Sequence, residues 1–386
     1  MTHARAIKLL EAAAAELARI NRAKEYGFWR DRALWELDEA LAVTDPFRPY
    51  ANAWLHTGDG SGRVIQGCFG AWAINLLLAN FTPSEILENL EAQVESNEAA
   101  YEESSPILGL TIDLECVLAT GVILRPRAPA DGLPLDYRLL PSGPFGMYGS
   151  RWSCTLSQSF LVKPAFEARA SIDQEPSGSV TAPTLEERDK VRRAVRFACL
   201  LASTGAVAMP SSKVSAANTQ LFASGEMERG SINSRTPFHS VAAEVTVIKA
   251  KFDALAAFSE GHILGRAIER LGRSRLASSD VDKALELGMA AEIALMHGEK
   301  GSAEITNKLG SRAAWLLGKN SAERSKILGE MKLLYQARSQ AVHTGILSAK
   351  SKLDLAAGDA LVSQALSAIL NRGRFPDWTS LTMGGD

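Results

Sequence analysis

The first forty residues carry apolar side chains at the spacing of a helix. Leu, Ile, Phe and Trp recur from about Ala4 to Leu41, and Pro46 and Pro49 end the run. Cys68 to Phe81 is the longest apolar run; it is too short to span a bilayer and reads as a buried helix. Thr82-Pro83-Ser84-Glu85 opens another helix, with Thr capping, Pro in the first turn and Glu reaching back to the cap; its pattern runs to about Tyr101. After Pro106 the period shortens. Ile112, Leu114, Cys116 and Leu118 alternate with Thr111, Asp113, Glu115 and Val117, which predicts a strand, and Phe160 to Val162 and Val241 to Ile248 are further strand candidates. Residues 125–148 are dense in Pro and Gly, and Ser171 to Pro183 is of low complexity. A capping box at Thr184 and Glu187 then starts a helix expected to reach about Ala208.

From about Ala254 the strand signals stop. Helical patterns cover 255–273, 280–297, 302–317, 321–343 and 355–371, and Ser279 with Asp282 and Asn320 with Glu323 are cap pairs for the second and fourth. Short connections make successive helices antiparallel neighbours. The expected fold class is therefore α+β: a mixed helix and strand domain over 1–250, followed by an all-α bundle over 251–386. No internal repeat is visible.

Composition changes this picture little. The 386 residues are 46% hydrophobic and 22% charged, a globular balance, and the net charge of -2 creates no overall field demanding a polyanionic partner. From Lys251 onward 18 basic residues face 15 acidic ones, a mild basic surplus. Cys68, Cys116, Cys154 and Cys199 lie far apart with no C-x-x-C pair, which argues against a zinc ribbon, a thioredoxin-like motif or a disulfide framework. Thr2 to Ile20 lacks the unbroken apolar core of a secretory signal, so a cytoplasmic protein without membrane attachment is expected. No carboxylate and histidine cluster has metal-ligand spacing, and neither a metal nor a cofactor is expected.

One constellation carries chemistry. In the fourth bundle helix Ile327, Met331, Leu334, Ala341 and Val342 form an apolar stripe, and Arg338 falls on it. A guanidinium on a core-facing stripe is either paired or faces a cleft. His343 follows five positions later, before Thr344-Gly345, at the expected helix end. By spacing alone, this R-x4-H pair is also met by an ion-paired structural arginine beside a histidine favoured by the helix dipole.

The surrounding residues narrow the choice. Tyr335-Gln336-Ala337-Arg338-Ser339-Gln340-Ala341-Val342-His343-Thr344-Gly345 resembles the signature of the Apea-like HEPN family. Upstream, Ala267-Ile268-Glu269-Arg270-Leu271 and Asp282-Lys283-Ala284-Leu285-Glu286-Leu287 resemble its first helices, and Glu304 to Leu317, with Arg312-Ala313-Ala314, resembles its third. The likeness spans roughly 255–375. It implies a bundle of four to five helices that dimerises and brings two R-x4-H motifs into one cleft. It further implies a metal-independent endoribonuclease, active in phage defence or toxin–antitoxin growth control, with RNA (tRNA included) as substrate. The products would be a 2',3'-cyclic phosphate and a 5'-OH. Arg338 and His343 would be the catalytic pair, supported by Ser339, Tyr335, Glu292 and Arg312; Ser339 stands where catalytic members commonly have Asn, Asp or His. Such proteins carry a variable N-terminal domain, here expected to sense a phage-derived or regulatory protein ligand. The alternative from another class is a non-catalytic HEPN module that binds RNA, nucleotide or a protein partner.

The chemistry suits these side chains. Cleaving RNA through its own 2'-OH needs a proton carrier near neutral pH and a cation for the phosphorane. Histidine titrates in that range, and arginine forks onto phosphate oxygens. Glu292 is placed by helix order to hold Arg338 or Arg312. Other candidates have plainer readings. Gly58-Asp59-Gly60-Ser61-Gly62 lacks the Lys-Ser/Thr of a phosphate loop and reads as a surface turn, and Gly318-Lys319-Asn320-Ser321 as one helix cap running into the next. His297 reads as a surface histidine at a helix end, and His56, His239 and His262 have no partner at catalytic spacing. Arg266, Arg270, Arg273 and Arg275 read as a solvated helix face in preference to an RNA track.

Overall fold

The computed structural model describes residues 3–23, 28–57, 59–64, 68–126, 152–168, 180–216, 220–221, 227–229, 239–299, 304–347 and 353–385. The Pro- and Gly-dense stretch beyond residue 126 and residues 171–179 lie outside these. The N-terminal helical run forms two helices, α1 (Ala4–Ala23) and α2 (Phe28–Ala42), followed by β1 (Trp54–His56), β2 (Ser61–Arg63) and α3 (Cys68–Leu78). Phe69, Trp72, Ile74 and Leu76 of α3 are buried, as the apolar run predicts. Helix α4 (Pro83–Ser96) starts at the Thr82–Glu85 capping box with both reciprocal hydrogen bonds present. It stops short of Tyr101 because Asn97 turns left-handed at φ 46°, and β3 (Ala99–Leu108) begins there instead.

The strand expected from the alternation around Ile112 is broken in two. β4 (Leu110–Thr111) and β5 (Cys116–Ala119) flank a bend that leaves Leu114 exposed. β6 (Val122–Pro126), β7 (Trp152–Val162) and β8 (Phe166–Glu167) follow, with the expected Phe160–Val162 strand inside β7. The Thr184–Glu187 box opens α5 (Leu185–Ala202), which ends before Ala208; then come β9 (Ser212–Ala216), β10 (Met227–Arg229) and β11 (Val241–Ala242). The larger sheet has the order β10-β9-β3-β7-β6-β5 and the smaller β2-β1-β8, and β11 pairs in parallel with β4.

Val241 to Ile248 is corrected. Its β-branched residues suggest a strand, but only Val241–Ala242 is extended. Glu244 begins α6 (Val245–Ala257), where Ile248 and Phe252, four apart, are buried together. Beyond it lie α7 (Gly261–Leu276), α8 (Asp280–Leu295), α9 (Ile305–Leu317), α10 (Ser321–Thr344), α11 (Leu355–Asn371) and α12 (Trp378–Thr382). The cap bonds of Ser279 to the Asp282 N–H and of Asn320 to the Glu323 N–H are both made. The fold class is α+β.

Two compact units account for these elements. Unit 1 comprises Met1–Ser104, Gln158–Asp189 and Lys213–Glu228; unit 2 comprises Ser105–Ser157, Lys190–Ser212 and Arg229–Asp386. Each has its own apolar core. That of unit 1 is built on Leu10, Leu41, Phe47, Trp72, Leu90 and Tyr101, and that of unit 2 on Ile107, Leu200, Leu264, Leu271, Leu334 and Leu366. Within unit 2, α8 packs against α7, α10 and α11, and α10 also packs against α9.

Candidate functional site

Helix α10 presents Met331, Leu334, Ala337 and Ala341 to the core of unit 2. Arg338 stands beside this stripe with a quarter of its side chain exposed. Val342 is corrected: its side chain is 50% exposed and belongs to the outer face. The stem of Arg338 lies on α8 at Gly288, where a Cβ would collide with the Arg338 Cβ and Cγ. Glycine there lets the two helices approach closely enough for a long side chain to cross between them.

The guanidinium has one carboxylate neighbour, with Nη2 3.2 Å from Glu292 Oε2 on α8. Its ζ carbon lies 5.5 Å from the centre of the Tyr335 ring, one turn earlier on α10. Burial, with the Glu292 carboxylate second, pushes the Tyr335 phenol up, while Arg338 opposes the shift. Arg338 Nε is buried and, among the described residues, meets no acceptor. A buried donor without a partner costs about 1–3 kcal/mol, so its retention calls for an explanation. Three of the expected residues, Arg338, Glu292 and Tyr335, thus come together.

The other expected residues stand apart from that contact set. His343 is exposed in the last turn of α10, which Gly345 ends in the left-handed conformation at φ 68°. Five residues along a helix give a rotation of about 140° and a rise of about 7.5 Å. Arg338 and His343 of one chain therefore leave the helix in different directions. Ser339 is half-buried.

Arg312 has a different role. Its Nη1 donates to the Leu295 carbonyl at the end of α8 (2.7 Å), its Nη2 to Glu299 (2.7 Å), and its guanidinium lies over the Trp378 ring. It satisfies a helix terminus instead of reaching Glu292.

The basic run on α7 is also corrected in part. Arg275 is buried: it forks onto Asp359 and donates to the carbonyls of Leu200, Ser203 and Gly205 at the end of α5. Arg270 pairs with Glu286 and Arg273 with Glu269. His297 is half-buried and partnered, with Nε2 2.9 Å from Glu260 Oε1 and its ring 4.1 Å from that of Phe375. Sequence reasoning also left His56 without a partner, yet it lies against Ser61 and Glu167 in unit 1. Glu167 is distant in sequence, and only the pairing of β8 with β1 brings it near.

Among the described residues no group of three or more His, Cys, Asp or Glu side chains comes together as metal ligands, and no helix is long and apolar enough to cross a membrane. No protein family, curated protein or solved structure matches this chain.

Proposed function

We propose that the chain is a metal-independent endoribonuclease of HEPN type, working as a homodimer through its C-terminal bundle and serving phage defence or toxin-like growth control. The reading rests on Arg338, a half-buried guanidinium whose Nε lacks an acceptor among the described residues, on the helix that ends in the exposed His343. A phosphate oxygen would supply the missing acceptor, and the planar fork would spread over the phosphorane charge. In the proposed reaction the RNA 2'-oxygen attacks the adjacent phosphorus and its proton passes to neutral His343. The P–O5' bond breaks, and the leaving 5'-oxygen takes a proton from the protonated His343 of a second copy. A 2',3'-cyclic phosphate and a 5'-OH result, and the two imidazoles end with their protons exchanged.

The Glu292 contact favours a second reading. Arg338 already has a carboxylate neighbour, as a structural arginine does, which suits a non-catalytic HEPN module that binds RNA, nucleotide or a protein partner. The two readings part on induction in a bacterial host. The nuclease arrests growth and His343→Ala relieves the arrest at equal protein level. Equal toxicity of wild type and variant removes catalysis at His343, and RNA retention without cleavage leaves the binding module.

A further inference from the structure

Unit 1 holds a polar group that the ribonuclease reading does not use. β1 and β2 form a hairpin pairing Trp54 with Arg63, Leu55 with Gly62 and His56 with Ser61, and β8 adds Glu167 opposite Trp54. Side chains alternate across a sheet, so His56, Ser61 and Glu167 share one face while Leu55 and Phe166 fill the core on the other. Thr57 N–H donates to Gly60 O, and Val64 N–H to Ala53 O. By alternation His56 and Ser61 are a non-hydrogen-bonded pair, the kind whose side chains approach most closely.

The contacts follow from that register. His56 Nδ1 lies 2.6 Å from Ser61 Oγ, and His56 Nε2 lies 3.3 Å from Glu167 Oε1. Nε2 is buried and makes no hydrogen bond of good geometry, the Glu167 carboxylate standing nearest to it; with the ring proton on Nε2, Nδ1 turns its lone pair toward the Ser61 hydroxyl. Burial pulls His56 below the ordinary histidine range, with Glu167 opposing, so the ring is neutral at pH 7. An unprotonated imidazole between a hydroxyl and a carboxylate is the arrangement that activates a serine.

Access and support complete the arrangement. His56 is fully buried but Ser61 is exposed, so the hydroxyl can be reached from solvent. In a non-hydrogen-bonded pair the Ser61 N–H turns away from β1, and among the described residues β2 is an edge strand. That N–H is a donor for an oxyanion. Asp59, two residues before Ser61, is pinned, since Arg188 binds both it and Glu103, all three side chains being buried, and the Tyr101 hydroxyl donates to the His56 carbonyl at 3.0 Å.

We propose that Ser61 is the nucleophile of a second activity, hydrolysis of carboxylic esters, with His56 as general base and Glu167 as its positioning residue. Ser61 Oγ bonds to the ester carbonyl carbon and its proton passes to His56 Nδ1. The tetrahedral intermediate collapses, the ester C–O bond breaks, and the departing alkoxide takes that proton as an alcohol. Water then attacks the acyl-serine, gives a proton to Nδ1, and Ser61 leaves with it, releasing the carboxylic acid.

The test uses the folded full chain with a fluorophosphonate probe, read by peptide mass, and with p-nitrophenyl butyrate as substrate. The probe is expected to modify Ser61, and Ser61→Ala, an exposed and structurally mild change, to lose the label and about 100-fold or more of ester turnover. Glu167→Gln should keep the Ser61 label while lowering kcat about 10-fold at unchanged KM, a split that mere support of the hairpin does not produce. A folded wild-type chain that is not labelled at Ser61, or Ser61→Ala turning over ester at the wild-type rate, overturns the proposal. Unchanged kcat in Glu167→Gln overturns the role of Glu167.

Discussion

Gly288 and Arg338 meet where α8 packs against α10, and their contact decides what each can be replaced by. Alanine at 288 gains about 1 kcal/mol of helix propensity, but its Cβ strikes the stem of Arg338 next to the backbone, and overpacking of that kind costs about 1–3 kcal/mol. Gly288→Ala is therefore expected to lower the melting temperature and, by shifting the guanidinium on the order of 1 Å, to cut RNA cleavage about 100-fold. An unchanged melting temperature with full activity would show that the close approach does not matter. Arg338→Lys keeps charge near Glu292 but loses the fork, so cleavage should fall sharply while the fold survives; cleavage at the wild-type rate would make Arg338 a simple counterion. Of these particulars, the sequence shows Arg338 out of place among apolar neighbours and His343 at a helix end. It does not show Gly288 as the residue that lets the arginine pass, because nothing local distinguishes that glycine from any other.

Helix ends explain both what could be read in advance and what could not. The boxes at Thr82–Glu85 and Thr184–Glu187 and the caps at Ser279 and Asn320 involve residues within three positions of one another, so they are visible in the chain and are present in the fold. The C-terminal ends are served from afar: Arg312 closes α8, and Arg275 closes α5 while holding Asp359 of α11. In the sequence Arg275 resembles a solvated face and Arg312 a support for the R-x4-H pair, because their acceptors are backbone carbonyls that only folding brings near. Arg275→Ala leaves Asp359 without its partner in a largely buried position, so a loss of about 3–5 kcal/mol is expected in denaturant melts of the full chain. A loss below about 0.5 kcal/mol, typical of an open surface, would return Arg275 to the solvated face. Glu167 and Ser61 follow the same rule, being joined by strand pairing that no local pattern announces.

At the scale of the whole molecule, Arg338 and His343 leave one helix roughly 140° apart, and the proposed ribonuclease site draws on two chains. Light scattering at micromolar concentration is expected to give the mass of two chains; a strict monomer that still cleaves RNA would contradict the composite site. The α+β class and the helical C-terminal region were legible because amphipathic periodicity is local. The two units are each assembled from three separate stretches of chain, an arrangement that a linear reading does not reveal. The central claim meets its most direct test in the RNA ends produced by the purified full chain in EDTA. Fragments with 5'-OH and 2',3'-cyclic phosphate ends are expected from the wild type. With His343→Ala at unchanged melting temperature, about 100-fold fewer are expected. Intact RNA with the folded wild type, or the same fragments from His343→Ala, would contradict it.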